Sequence, residues 1–144
     1  MHRILYVEDH DDTRDLLTLV LEGRDYEVTS AQTIATALQL ARQQKYDLFL
    51  LDSRLPDGTG VDLCVEIRQF DAHTPIIFYS ADVYDADKIM ALGAGAQGYL
   101  AKPARLSDLC ELVSSLIAAG QPKKHRPPAS EELPDVRFSW DAEN

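Results

Sequence analysis

Five times in the first 120 residues a short apolar run with β-type composition gives way to a longer stretch of helical periodicity. No other feature limits the fold so strongly. The apolar runs are Arg3–Val7, Glu27–Ser30, Asp47–Leu51, Pro75–Tyr79 and Gln97–Leu100. Between and after them apolar residues recur at helical spacing: Leu16, Leu17, Val20 and Leu21; Ile34, Ala37, Leu38 and Ala41; Val61, Cys64, Val65 and Ile67; Ile89, Met90 and Leu92; Leu109, Leu112, Val113, Leu116 and Ile117. Asp12, Ser107 and Gly120 stand where the first and last helices should start and stop.

Five βα units predict an α/β domain with a parallel sheet and helices on both faces. Runs one, three and four are the most continuously apolar, hence central. Glu27-Val28-Thr29-Ser30 is polar enough for one edge, and the Gly98-bearing fifth run suits the other. The resulting strand order is 2-1-3-4-5, the flavodoxin-like doubly wound arrangement.

The ends of the strands carry the chemistry. Glu8 and Asp9 close the first run, Asp52 the third, Ser80 the fourth and Lys102 the fifth. A carboxylate at the end of a buried strand is costly unless it serves there, and ligands of open α/β sheets bind outside that edge. Carboxylates, a hydroxyl and an ammonium gathered at one rim make a site for a divalent cation and a phosphoryl group.

Composition narrows the partners. The chain carries 14 Lys and Arg against 24 Asp and Glu, a net charge of −10. Acidity of that size disfavours direct binding to nucleic acid or anionic membranes. No apolar stretch is long enough to cross a bilayer, and Met1-His2-Arg3 leads straight into a strand pattern, so neither a membrane anchor nor a signal peptide is expected. Cys64 and Cys110 fall among apolar neighbours at helical positions and read as buried free thiols. Residues 1–120 therefore read as one domain. Residues 121–144, rich in proline and without periodicity, read as a flexible C-terminal tail or linker, in which Val136, Phe138 and Trp140 alternate.

Several motifs in order resemble the receiver domain of bacterial two-component response regulators, over essentially all of residues 1–120. Ile4-Leu5-Tyr6-Val7-Glu8-Asp9 resembles the acidic pair after the first strand. Leu50-Leu51-Asp52 with Leu55-Pro56-Asp57-Gly58-Thr59-Gly60 resembles the phosphoacceptor strand and its loop. Ser80-Ala81 is similar to the hydroxyl residue followed by a small one, and Gly98-Tyr99-Leu100-Ala101-Lys102-Pro103 to the last strand with its aromatic, lysine and proline.

The resemblance implies Mg²⁺-dependent phosphorylation of Asp52 by a histidine kinase or a histidine phosphotransfer protein. It implies Asp9 and Asp52 as direct metal ligands, Glu8 acting through water, and the main-chain carbonyl of Arg54 as a further ligand. Lys102 would pair with Asp52 before reaction and with the phosphoryl group afterwards, and the Ser80 hydroxyl would donate to a phosphoryl oxygen. Tyr99 would then turn inward and remodel a face of helix four, strand five and helix five for a downstream protein target or for homodimerisation. A cytoplasmic phosphorelay module, acting on no external substrate, is the expectation.

Blander roles compete at several positions. Asp11 and Asp12 are explained as helix caps and dipole partners, and His10 as a solvated loop residue. Asp57 through Gly60 is turn chemistry. Two other functions also compete: a docking receiver that works without phosphorylation, and an Asp-nucleophile phosphohydrolase. The second is disfavoured because Arg54 stands two residues past Asp52, where such enzymes place an acid. Arg54 and Asp82 flank the site, and Arg54 is expected to pair either with Asp82 or with the phosphoryl group.

Overall fold

In the computed structural model residues 1–120 are described throughout, and beyond them only the backbone of Arg137–Phe138. The elements in order are β1 (His2–Val7), α1 (Asp11–Glu22), β2 (Tyr26–Ala31), α2 (Ile34–Gln43), β3 (Leu48–Leu51), β4 (Arg54–Leu55), β5 (Gly58–Thr59), α3 (Gly60–Arg68), β6 (Ile76–Ser80), α4 (Asp85–Ala94), β7 (Gly98–Ala101), α5 (Leu106–Gly120) and β8 (Arg137–Phe138). The main sheet is parallel with order β2-β1-β3-β6-β7-β8, while β4 and β5 form a separate two-residue antiparallel ladder. The five strands expected from the sequence thus take the expected order, 2-1-3-4-5.

Strand side chains alternate between the faces of the sheet, and this alternation builds two cores. Leu5, Val7, Phe49, Leu51, Ile76, Phe78 and Tyr99 pack with Ala37, Ala41, Leu63, Cys64, Ile67 and Ala91 of α2, α3 and α4. Ile4, Tyr6, Leu48, Leu50, Ile77, Tyr79 and Leu100 pack with Leu17 and Leu21 of α1 and with the buried face of α5. Coverage on both faces explains why β1, β3 and β6 are apolar at nearly every position. Cys64 and Cys110 are buried free thiols, as expected, and burial pushes Cys64 up to about 11.

Four expectations need correction. α1 begins at Asp11 and is capped by His10, whose Nδ1 accepts from the Thr13 amide at 3.3 Å. The cap is thus the histidine rather than Asp12, and the two aspartates occupy the first turn. Leu16 and Val65 are exposed, because the stripes of α1 and α3 turn on Leu17 with Leu21 and on Leu63 with Ile67. In α4 the buried residues are Lys88 and Ala91, with Leu92 half-buried, and Ile89 and Met90 point outward at 63% and 58% exposure. Finally, β7 is not the outer strand: Gly98 pairs with Arg137 and Tyr99 with Phe138. The remaining expectations for the tail, including Val136 and Trp140, fall outside the described residues.

Candidate functional site

The parallel register brings the strand ends level, with Val7 opposite Leu51, Leu51 opposite Phe78, and Ser80 opposite Ala101. Glu8, Asp52 and Lys102 each follow a strand directly, and Ser80 ends one. Alternation then sorts them. Glu8, Asp52 and Lys102 continue the series Tyr6, Leu50 and Leu100 on the α1–α5 side. Ser80 continues Ile76 and Phe78 on the α2–α4 side.

On the α1–α5 side the charges are buried and tightly partnered. Glu8 is 1% exposed. Its Oε1 accepts from Lys102 Nζ at 2.7 Å and from the Tyr6 hydroxyl at 3.3 Å, and its Oε2 accepts from the His10 amide at 3.3 Å. Arg14 Nη1 donates to the Glu8 main-chain carbonyl at 3.1 Å. Tyr6 is fully buried, and burial together with the neighbouring Glu8 raises its pKa, so the phenol is retained as a donor.

Asp52 is fixed by its own amide, which donates to the Val7 carbonyl at 3.0 Å. Its Oδ1 accepts from the Ser53 amide at 2.7 Å and its Oδ2 lies 3.4 Å from Lys102 Nζ. Burial, reinforced by Glu8, pushes its pKa up to about 6, against the lowering influence of Lys102. Burial works against the charge of Lys102, but Glu8 and Asp52 outweigh it and raise its pKa. The ammonium thus pairs with Asp52, as the sequence leads one to expect, and stands nearer still to Glu8.

Asp9 is exposed beside them. Ligand atoms of Glu8, Asp9 and Asp52 lie within 4.8 Å of one another. They border a cavity of about 450 Å³ that also reaches Arg54, Ser80 and Lys102. Three hard oxygen donors in an open, wet cavity suit a small divalent cation that keeps several waters.

On the α2–α4 side the groups nearest the site, Ser80 and Tyr99, are neutral, with the Arg54–Asp82 pair at the rim and Lys88 of α4 buried at 3% exposure. Ser80 is 1% exposed, and its Oγ accepts from the Asp82 amide at 2.9 Å. Tyr99 is buried, stacks on Phe78 with ring centres 5.8 Å apart, and donates its hydroxyl to the Asp82 main-chain carbonyl. Asp82 also receives Arg54: Nε lies 3.0 and 3.1 Å from the two carboxylate oxygens, and Nη2 2.9 Å from one.

The loop after Asp52 does more than turn. The Asp57 carboxylate accepts from the Ile34 and Ala35 amides at 2.8 and 3.1 Å and so holds the start of α2; these bonds lower its pKa. Thr59 and Asp62 form a reciprocal capping box at the start of α3. A Cβ on Gly60 would lie 2.2 Å from the Asp52 carbonyl oxygen and 2.8 Å from the Phe78 ring, so only glycine lets α3 start against the acceptor strand. Sequence reasoning overlooked Tyr6, Arg14 and this close approach. The spacing of Tyr6 two residues before Glu8, on the same face of the strand, was the available signal for the first.

Comparison with known proteins agrees with this geometry. A family model described as the response regulator receiver domain matches residues 4–114. The KDP operon transcriptional regulatory protein KdpE of Escherichia coli is 41% identical over 109 residues, covering 76% of this chain and 48% of that protein. The response regulator protein PilR of Pseudomonas aeruginosa is 35% identical over 131 residues, covering 91% of this chain and 29% of the relative. This chain therefore spans about half or less of these two relatives. Among solved structures, a putative response regulator from Chloroflexus aurantiacus superimposes with a TM-score of 0.78 at 35% identity, covering 81% of this chain and 98% of that one. The receiver domain of the sensor histidine kinase PA1611 from Pseudomonas aeruginosa, with a magnesium ion coordinated in its active site cleft, gives 0.76 at 32% identity, with the same coverage.

Proposed function

The chain belongs to the response regulator receiver family of two-component systems, and on that premise we propose that it accepts a phosphoryl group on Asp52 from a histidine kinase or phosphotransfer protein, with Mg²⁺ as cofactor. The observation that carries the reading is the convergence of Glu8, Asp9 and Asp52 within 4.8 Å, with Lys102 reaching two of the three.

Asp9 and Asp52 are the residues that would hold the cation, with the buried Glu8 behind them and the Arg54 main-chain carbonyl alongside. The bound cation supplies neutralisation of the negative charge on the transferring group. The chain's own residues do the rest. An Asp52 oxygen attacks phosphorus in line as the bond from phosphorus to the donor's histidine nitrogen breaks, the nitrogen keeping the bonding pair, and the Asp52 carboxylate is largely ionised at neutral pH despite its raised pKa. Lys102 offers positive charge to the transferred oxygens, and the Ser80 hydroxyl a hydrogen bond; transfer of this kind is mostly positioning and charge neutralisation.

The proposed output is a protein-binding surface around α4, β7 and α5, where Val83, Tyr84, Ile89 and Met90 are exposed. Isolated apolar residues are ordinary on surfaces, but four within eight positions fit a docking patch. In the described state the Tyr99 ring is already inward, so a switch at this position would act through its bond to Asp82 as well as through its rotamer. Turnover on external substrates is not proposed, since Arg54 occupies the position where a hydrolase of this type would carry an acid. Among the described residues no helix is long and apolar enough to cross a membrane, and action in the cytoplasm is part of the proposal.

The test is intact mass after incubation with acetyl phosphate and Mg²⁺, for the wild-type protein and Asp52→Ala. A gain of one phosphoryl group in wild type only, abolished by chelation, is expected. No gain in either would leave the constitutive docking reading in its place.

A further inference from the structure

The two sides of the sheet end differently. β2, outermost on one side, carries Glu27, Thr29 and Ser30, with Glu27 and Ser30 exposed, and polar edges of this kind discourage further pairing. β7 has no such device. It reads Gly98-Tyr99-Leu100-Ala101, without charge or proline, and Tyr99 and Leu100 are buried in opposite cores. Its outer edge is covered instead by β8, which pairs in parallel, Gly98 with Arg137 and Tyr99 with Phe138.

The path of the chain explains the direction of that pairing. α5 ends at Gly120, where a Cβ would lie 3.9 Å from Pro75 Cδ, and Pro75 stands just before β6. The chain therefore leaves α5 at the end of the sheet where strands begin, and a segment returning to β7 runs parallel to it. α5 becomes the crossover of one more β–α–β unit. The sixteen residues 121–136 can reach across roughly 50 Å, so length does not limit the return. Residues 135–140, Asp-Val-Arg-Phe-Ser-Trp, contain no proline and alternate polar with apolar in the pattern of a strand. The stretch before them holds Pro122, Pro127, Pro128 and Pro134.

We propose that the segment around Arg137–Phe138 is a built-in strand ligand of the β7 edge: it pairs there in cis and closes the edge to a second copy and to any extended partner segment, which must displace it to pair. The edge matters because β7 carries Tyr99 and runs directly into Lys102. Pairing on both sides of β7 holds the backbone of a site strand in place. The tethered segment competes through concentration, since a linker of this length gives an effective concentration on the order of millimolar. The inference does not depend on phosphorylation and stands or falls separately from the assignment of Asp52 as acceptor.

The test is amide hydrogen exchange of the full, unphosphorylated chain, read residue by residue by NMR. Lys102 donates its amide inward to the Ser80 carbonyl. Alternation along a parallel strand then turns the Leu100 amide inward and the Tyr99 amide towards β8. The double variant Arg137→Pro with Phe138→Pro removes both β8 amides, at positions remote from the core of residues 1–120. Tyr99 should exchange about five- to tenfold faster in the variant, the loss of one hydrogen bond, while Leu100 keeps its rate. A peptide of residues 135–142 at millimolar concentration should restore Tyr99 protection in the variant, and the same peptide with both prolines should not. Equal Tyr99 exchange in wild type and variant, or equal acceleration at Leu100, would overturn the proposal. So would a peptide that leaves Tyr99 unprotected. Tyr99 protection that rises with protein concentration would assign the edge to a second copy and overturn pairing in cis.

Discussion

The two faces of the sheet meet at one rim, and they treat polar groups in opposite ways. On the α1–α5 side, Tyr6, Glu8, Lys102 and Asp52 form a closed network in which the most buried carboxylate is held by three donors. On the α2–α4 side, Ser80 and Tyr99 are neutral and bonded to the Asp82 backbone, while the exposed Arg54 meets the half-buried Asp82 carboxylate at the rim. A buried charge network is rigid because breaking it strands an unpaired ion. A pair in water can be exchanged. The first side is built to do chemistry at a fixed geometry, the second to respond to it.

The contrast can be broken where the sides touch. Gly60 lies against both the Asp52 carbonyl and the Phe78 ring, so Gly60→Ala forces the backbone apart. It should cost about 3 kcal/mol in urea denaturation, the upper range for overpacking. A loss under about 1 kcal/mol would mean that the loop yields and that the two sides are not locked together.

Removing Lys102 tests the closed side alone. Lys102→Ala leaves Glu8 buried at 1% exposure without its ion-pair partner. It should destabilise by about 2–3 kcal/mol, below the range for fully buried pairs because Lys102 is partly solvated. Adding Glu8→Gln should recover much of the loss. If the single variant unfolds at the wild-type midpoint, water reaches Glu8 and the network is not closed.

A smaller effect should appear with pH. The Asp52 pKa is raised in the fold, to about 6, so the ionised form is disfavoured there relative to the unfolded chain. The stability associated with its protonation is fully present below about pH 4 and is lost as pH rises through about 6. Without divalent cation, Asp52→Asn should therefore be more stable than wild type at pH 7.5, by about 1–2 kcal/mol, and the advantage should vanish towards pH 4. Mg²⁺ should raise the midpoint of wild type and have less effect on the variant. An advantage that stays constant across this range would point to packing rather than charge.

The smallest stability effect belongs to the open side. Ile89→Ser and Met90→Ser remove side chains more than half exposed and should move stability by less than about 0.5 kcal/mol. If either destabilises by more than about 1 kcal/mol, that face of α4 is part of the core and the docking patch is withdrawn.

The alternation of five apolar runs with five helical stretches was enough to establish the sheet, its strand order and the gathering of Glu8, Asp9, Asp52, Ser80 and Lys102 at one rim. Those are consequences of period-two and period-3.6 burial and of chain connectivity, which local composition carries. The sequence also placed Arg54 within reach of Asp82. Other features were decided only when elements packed. Lys102 lies 2.7 Å from Glu8 and 3.4 Å from Asp52 although all three follow strands on the α1–α5 side, so strand parity alone does not choose between the two carboxylates. α4 turns Lys88 and Ala91 inward and Ile89 and Met90 outward, a choice that hydrophobicity at helical spacing does not reveal. Gly60 is required by a carbonyl eight residues back in the chain. Each depends on distances of a few tenths of an ångström between elements, and such distances are set by the packing of the whole fold rather than by any one segment.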